Sequence, residues 1–203
     1  LIVLEEQLRG KKKSTFSPWY YDVASGKFER SPAAGTKPYD SFSQLHYLPS
    51  KKHFIVVGSG SDGVGIFDPA KNAWREAKPK GPVPKGWDAP GCYDSKRNRI
   101  YRSDGDGEKG EGLMAYYIEK NTWIELKPRG NAPAAANTNA AFFEYDARLD
   151  IVVAIHFSGA TPGVHAYNPE TNSWAEPLPF PADGPKFRFA ANTCYDRELN
   201  AYF

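Results

Sequence analysis

Phe67-Asp-Pro-Ala-Lys-Asn-Ala-Trp74 and Tyr167-Asn-Pro-Glu-Thr-Asn-Ser-Trp174 are two copies of one eight-residue word. Tyr21-Asp-Val-Ala-Ser-Gly-Lys-Phe28 and Tyr116-Tyr-Ile-Glu-Lys-Asn-Thr-Trp123 are two more. In each, an aromatic stands seven positions before a second aromatic, and the sixth residue is Gly26, Asn72, Asn121 or Asn172. Gly and Asn tolerate positive φ, which suits the residue that reverses a chain and launches a returning strand. Pro69 and Pro169 preset φ at the turn entry. The word therefore reads as a β-hairpin whose flanking aromatics pack on each other or on a neighbouring sheet. Core packing is the ordinary role for Trp74, Trp123 and Trp174.

A second word precedes the first in each unit: Tyr47-Leu-Pro-Ser-Lys-Lys52, Tyr93-Asp-Ser-Lys-Arg-Asn98, Tyr145-Asp-Ala-Arg-Leu-Asp150 and Tyr195-Asp-Arg-Glu-Leu-Asn200. Asp94, Asp146 and Asp196 can cap the turn, and Asn98, Asp150 and Asn200 fit its left-handed exit. Strand-like runs follow, such as His53-Phe-Ile-Val-Val57 and Ile151-Val-Val-Ala-Ile155. The closing aromatics recur at spacings of 46, 49 and 51 positions. A period near fifty built from strands and turns means a stacked β-repeat. Each unit reads as a four-stranded antiparallel meander: strand, tight turn, strand, Gly-rich loop, strand, tight turn, strand. Complete units are expected over 41–88, 89–138 and 139–188, with partial ones over 1–40 and 189–203. With 18 Gly and 17 Pro and no sustained 3.6-residue apolar period, a helical fold is a poor alternative.

These words resemble the kelch-type β-propeller, and the likeness covers essentially the whole chain as successive blades. Phe67–Trp74 and Tyr167–Trp174 carry it best, since they match the family's Tyr-Asp-Pro…Asn-x-Trp segment. One departure makes this a divergent, galactose-oxidase-like or bacterial kelch pattern. The family's double glycine is replaced by Gly58-Ser-Gly60, Ser103-Asp-Gly105 and Phe157-Ser-Gly159. The WD40 type fits less well, because its repeats are shorter and Trp87-Asp88 occurs once, outside the hairpin word. The resemblance implies an all-β ring of blades with each first strand innermost. It also implies that 1–203 is one propeller segment, a fragment of a longer protein, with a closed four-bladed ring as the alternative.

Charge and composition exclude several functions. With 26 basic and 24 acidic side chains the net charge is +2, which argues against a dedicated nucleic-acid surface. Lys11-Lys-Lys13 reads as a solvated loop between strands. No apolar stretch approaches the length of a membrane helix. Cys92 and Cys194 hold equivalent positions two repeats apart, too far for a disulfide in a propeller, so both are expected as free, packed thiols. They do not fix the compartment, and a secreted or periplasmic location is among those the sequence allows.

The sequence carries no positive case for a catalytic centre. The galactose-oxidase likeness invites a copper test. However, Cys92-Tyr93 and Cys194-Tyr195 are adjacent residues whose side chains point to opposite strand faces, and His46, His53, His156 and His165 show no paired metal-ligand spacing. Asp104-Gly-Asp106-Gly-Glu108-Lys-Gly-Glu111 has the alternating carboxylates that suit calcium, but it lacks the remaining ligands of an EF-hand, so a solvated acidic loop is the stronger reading. No nucleophile elbow, phosphate-cradling loop or metalloprotease motif occurs. No catalytic residue, metal site or cofactor is assigned.

Geometry narrows where recognition would occur. In an antiparallel meander the loops after strands two and four leave at one end, and the other end receives only tight turns. The long-loop end carries 59–62, 103–112 and 158–162 together with the Pro-rich connections near 78–88, 127–138 and 177–188. Long loops on a rigid scaffold are where recognition usually lives. Candidate binding-face residues are Asp62, Trp87, Asp88, Asp104, Asp106, Asn137, His156, Phe187 and Arg188. The residues ending the connections could equally serve as wedges between blades. The expected partner is a protein or a glycan. The alternative is part of a secreted propeller enzyme acting on carbohydrate, with catalytic residues partly on blades outside this chain.

Overall fold

The computed structural model describes residues 2–9, 12–30, 44–58, 63–82, 84, 89–104, 112–133, 141–156, 162–183, 195–196, 198–199 and 201–202, and side chains for all of these except 2–18, 141–142, 195 and 202. Among the described residues everything regular is strand, apart from one 3-10 turn, Ile118–Lys120. The first sheet holds β1 (Ile2–Arg9), β2 (Lys12–Asp22) and β3 (Lys27–Arg30). The second holds β4 (Gln44–Leu48), β5 (His53–Val57), β6 (Val64–Asp68) and β7 (Ala73–Glu76). The third holds β8 (Gly91–Asp94), β9 (Arg99–Asp104), β10 (Gly112–Tyr117) and β11 (Thr122–Leu126). The fourth holds β12 (Ala141–Asp146), β13 (Ile151–His156), β14 (Gly163–Asn168), β15 (Ser173–Trp174) and β16 (Leu178–Pro179). β17 (Tyr195–Asp196) and β18 (Ala201–Tyr202) form a short ladder of their own. Sheets two, three and four are antiparallel meanders in chain order, as the repeat predicts, and sheet one is a three-stranded meander.

The turns explain the register. The carboxylate of Asp94 accepts the backbone N–H of Lys96 and Arg97, each at 2.9 Å, and Asp146 does the same for Arg148 and Leu149. Asp196 repeats it for Glu198 and Leu199, and Asp22, Asp68 and Asn168 cap the other class of hairpin identically. The copy with Tyr117 at this position has no side-chain acceptor there and closes through the 3-10 turn instead. Among the described residues, seven of these turns exit through a left-handed residue: Gly26, Lys52, Asn72, Asn98, Asn121, Asp150 and Asn172 have φ between 47° and 67°.

Two compact units divide the chain: Leu1–Gly58 with Asp62–Lys78, and Ser59–Ser61 with Pro79–Phe203. In the first, Val56, Phe67 and Trp74 of sheet two form a core with Tyr20, Leu45 and Phe54. In the second, one face of sheet three (Cys92, Tyr101, Leu113, Ala115) packs on one face of sheet four (Phe143, Tyr145, Val152, Ala154, Tyr167, Trp174). Strand alternation puts each set on a single face, so both sheets contribute to one apolar layer. β8 lies against β12, and β12 against β17. Cys92 is a buried free thiol; Cys194 lies outside the described residues.

A further device joins sheets three and four. After β11 the chain runs Lys127-Pro-Arg-Gly130, and Arg129 forms a parallel bridge with Ser173 at the edge of sheet four. Its N–H donates to the Asn172 carbonyl at 3.0 Å, and its carbonyl accepts from the Trp174 N–H at 2.8 Å. Lys80 in Lys78-Pro-Lys-Gly81 makes the same pair of bonds to Asn121 and Trp123. Gly130 and Gly81 follow with φ of 89° and 94°, and a Cβ there would sit 2.4 Å and 2.1 Å from the carbonyl oxygens of Trp174 and Trp123. The equivalent place after sheet four reads Leu178-Pro-Phe-Pro181. Pro181 cannot adopt positive φ. There the chain stays on its own sheet, with Leu178 and Pro179 paired to Val164 and Gly163.

Candidate functional site

Second strands end and third strands begin at one end of each sheet, and the Asx-capped turns sit at the other. Asp104, the last residue of β9, stands at the long-loop end of sheet three opposite Gly112. A Cβ on Gly112 would approach the Asp104 Cβ to 2.8 Å, so the glycine lets the aspartate lie close against the neighbouring strand. Two residues earlier on the same face, Arg102 is only 1% exposed, and burial lowers its guanidinium to about 10 despite the attraction of Asp104. This face turns away from the layer shared with sheet four.

His156 ends β13 at the same end of sheet four but points into that layer. It is 2% exposed, beside the fully buried His165, with ring centroids 5.5 Å apart and nearly perpendicular. Phe143 and Trp174 complete the aromatic group. Burial first, and the neighbouring imidazole second, lower His156 to about 4, so it is neutral at pH 7. Its Nε2 has no hydrogen-bond partner among the described residues. A neutral imidazole buried among aromatic rings adds packing volume to the layer.

The structure therefore does not bring Asp104 and His156 together, since they lie on differently facing surfaces. Asp62, Trp87, Asp88, Asp106, Asn137, Phe187 and Arg188 fall outside the described residues, as does the acidic loop 105–111. Among the described residues no group of three or more His, Cys, Asp and Glu could hold a metal ion.

The sequence reading missed the polar network at the turn end. Arg97 donates from Nη1 to Asp150 Oδ1 at 2.6 Å and to Asp94 Oδ2 at 3.1 Å, and from Nη2 to Asp150 Oδ2 at 2.8 Å and Glu170 at 3.2 Å. Lys96 also pairs with Asp150, and Tyr145 donates its hydroxyl to it at 2.7 Å. The Arg97 guanidinium holds the Asp150 carboxyl well below the usual carboxylate range. Asp94 is fully buried, so this is a clamp between the turns of sheets three and four. The signal was Arg97 and Asp150 within equivalent turns one repeat apart, a relation visible only once adjacent modules are known to lie side by side.

No family model matches the chain, and no curated protein matches it. Among solved structures it resembles an auxiliary nutrient binding protein from Bacteroides ovatus, with a TM-score of 0.53 and 14% sequence identity over 85% of this chain. The match spans 38% of that protein's length. At that identity the likeness speaks for the all-β fold alone.

Proposed function

We propose that the chain is a kelch-like propeller segment whose role is recognition of a protein partner or a glycan through the long-loop ends of its sheets. The carrying observation is the asymmetry between the two ends. Turn-end connections are short and alike, most of them locked by Asx caps, whereas the connections at the other end differ in length and composition from sheet to sheet. A scaffold that holds one end constant and varies the other suits binding. The resemblance to a protein described as nutrient binding fits the same role. Among the described residues no helix is long and apolar enough to cross a membrane.

The test is a panel of soluble oligosaccharides and a pull-down of protein partners, followed by two variants on whichever ligand binds. Replacing 106–110 by Gly and Ser should abolish or strongly weaken binding while leaving the melting temperature unchanged. Asp146→Ala, at the turn end, should lower the melting temperature and leave affinity per folded molecule intact. Unchanged affinity in the loop variant together with loss in Asp146→Ala would move the binding surface to the other end and defeat the proposal.

A further inference from the structure

Sheets three and four share one layer, and different chemistry holds its two ends. At the turn end the fastenings are charged or hydrogen-bonded. Arg97 joins Asp94 of its own turn to Asp150 and Glu170 of sheet four. Arg129 bonds the Asn172 carbonyl and the Trp174 N–H, and the Asn172 side chain donates to the Lys127 carbonyl at 3.2 Å. Farther along that outer edge Asn131 donates to Glu176 at 2.9 Å, in an exposed position. Asp94 and Arg99, which share the layer face of sheet three, are opposed in register at this end as well.

At the long-loop end the layer holds two imidazoles. His156 closes β13, and Ala154 on the same face pairs in register with His165 of β14, so the two rings stand diagonally on neighbouring strands. Phe143 of β12 lies against His156, and Trp174 of β15 against His165. From sheet three the layer receives the Cys92 thiol and the Tyr101 hydroxyl, and burial above all makes both hold their protons. Glu144, on the opposite face of β12, acts on Cys92 in the same direction. The charge that acts on His156 is the neighbouring imidazole, and it opposes protonation.

We infer that the layer between sheets three and four is an acid-sensitive hinge: protonation of His156 opens it at the long-loop end while the Arg97 and Arg129 fastenings keep the turn end closed. A solvated imidazole takes the proton that the closed layer refuses, so acid favours the open form. The clamp does not release over the same range, because Arg97 keeps the Asp150 carboxyl well below ordinary carboxylate values. His156 lies at about 4 in the closed layer and near the ordinary value of about 6.5 once solvated. Going from about pH 7.5 to about pH 5 should therefore raise the open fraction on the order of 20-fold. This inference does not depend on the long-loop ends as a binding surface or on any ligand.

Cys92 reports the opening in the unaltered chain, since its side chain is buried in this layer. It is labelled with dithiodipyridine, which reacts with thiols in acid as well as at neutrality. Peptide mass spectrometry counts Cys92 apart from Cys194, and each rate is divided by that of a free peptide spanning Cys92. The ratio should rise on the order of 20-fold over the pH step in the wild type and stay nearly flat in His156→Phe. If the Phe variant does not fold, His156→Gln makes the same comparison with another side chain that takes no proton. Hydrogen exchange at the Arg97 and Trp174 amides, corrected for the intrinsic effect of pH, should change little, because both are held at the turn end. A wild type whose ratio does not rise would overturn the inference, as would an equal rise in the His156 variant. Turn-end amides that open in step with Cys92 would also overturn it, by showing whole-layer unfolding in place of a hinge.

Discussion

At the residue scale, the two sequence words turn out to share one bond. Tyr93, Tyr116, Tyr145 and Tyr167 each donate a hydroxyl hydrogen to the Asn or Asp five positions on, at 3.0, 2.6, 2.7 and 3.0 Å. That acceptor is the same residue that turns the chain at positive φ, so one side chain both permits the turn and ties it to the preceding strand. The positive φ was legible, because Asn at a fixed place in a turn has a conformational reason. The hydroxyl bond was not, since a Tyr flanking a hairpin looks the same whether it packs or donates. Phe67 shows the packing role alone, for it meets Trp74 at 4.8 Å with no hydroxyl to offer. Trp123, 2% exposed against Tyr116, is a core side chain, and Trp123→Ala should cost about 3–5 kcal/mol in chemical denaturation. Arg97→Ala leaves Asp94 and Asp150 without their shared cation and should cost roughly 2–3 kcal/mol. A cost near zero would show that the clamp is a solvated surface pair.

At the scale of elements, strand order and hairpin placement were readable because the period-two apolar pattern and the turn residues agree. The connectors were read as Pro-rich loops, and their first residues are more than that. Lys80 and Arg129 add a parallel bridge to the outer strand of the following sheet, an interaction with no local periodicity to betray it. Its only trace in the sequence is the recurrence of Lys-Pro-Lys-Gly81 and Lys-Pro-Arg-Gly130. Gly130→Val would force a branched side chain into positive φ and against the Trp174 carbonyl. We expect a loss of about 1–3 kcal/mol and faster hydrogen exchange at the Arg129 and Trp174 amides, with the strands of sheet two unaffected. Uniform acceleration across both units would mean that the bridge is not a local fastening.

At the scale of the whole molecule, acid should act through the buried histidines before it reaches the carboxylates. Unfolded His156 returns to an ordinary value near 6.5, while in the folded chain it stays at about 4. The unfolded state therefore binds the extra proton, and stability falls as pH drops from 6.5 towards 4, by on the order of 3 kcal/mol from this residue. His156→Phe should flatten that slope in melting temperature against pH. Asp150 contributes further down, since its stabilisation is present above the ordinary carboxylate range and is lost as pH falls below it. The candidate site was less legible than the fold. Of its nine residues only Asp104 and His156 lie among the described ones, and the strand face separates them, because facing depends on register. The central claim is that modules of about fifty residues repeat one antiparallel register. Backbone nuclear Overhauser contacts in a labelled sample test it most directly. They should link Phe67 with Trp74, Tyr116 with Trp123 and Tyr167 with Trp174 as directly opposed residues. Helical sequential contacts across any of these segments, or a shifted register in one of them, would contradict it.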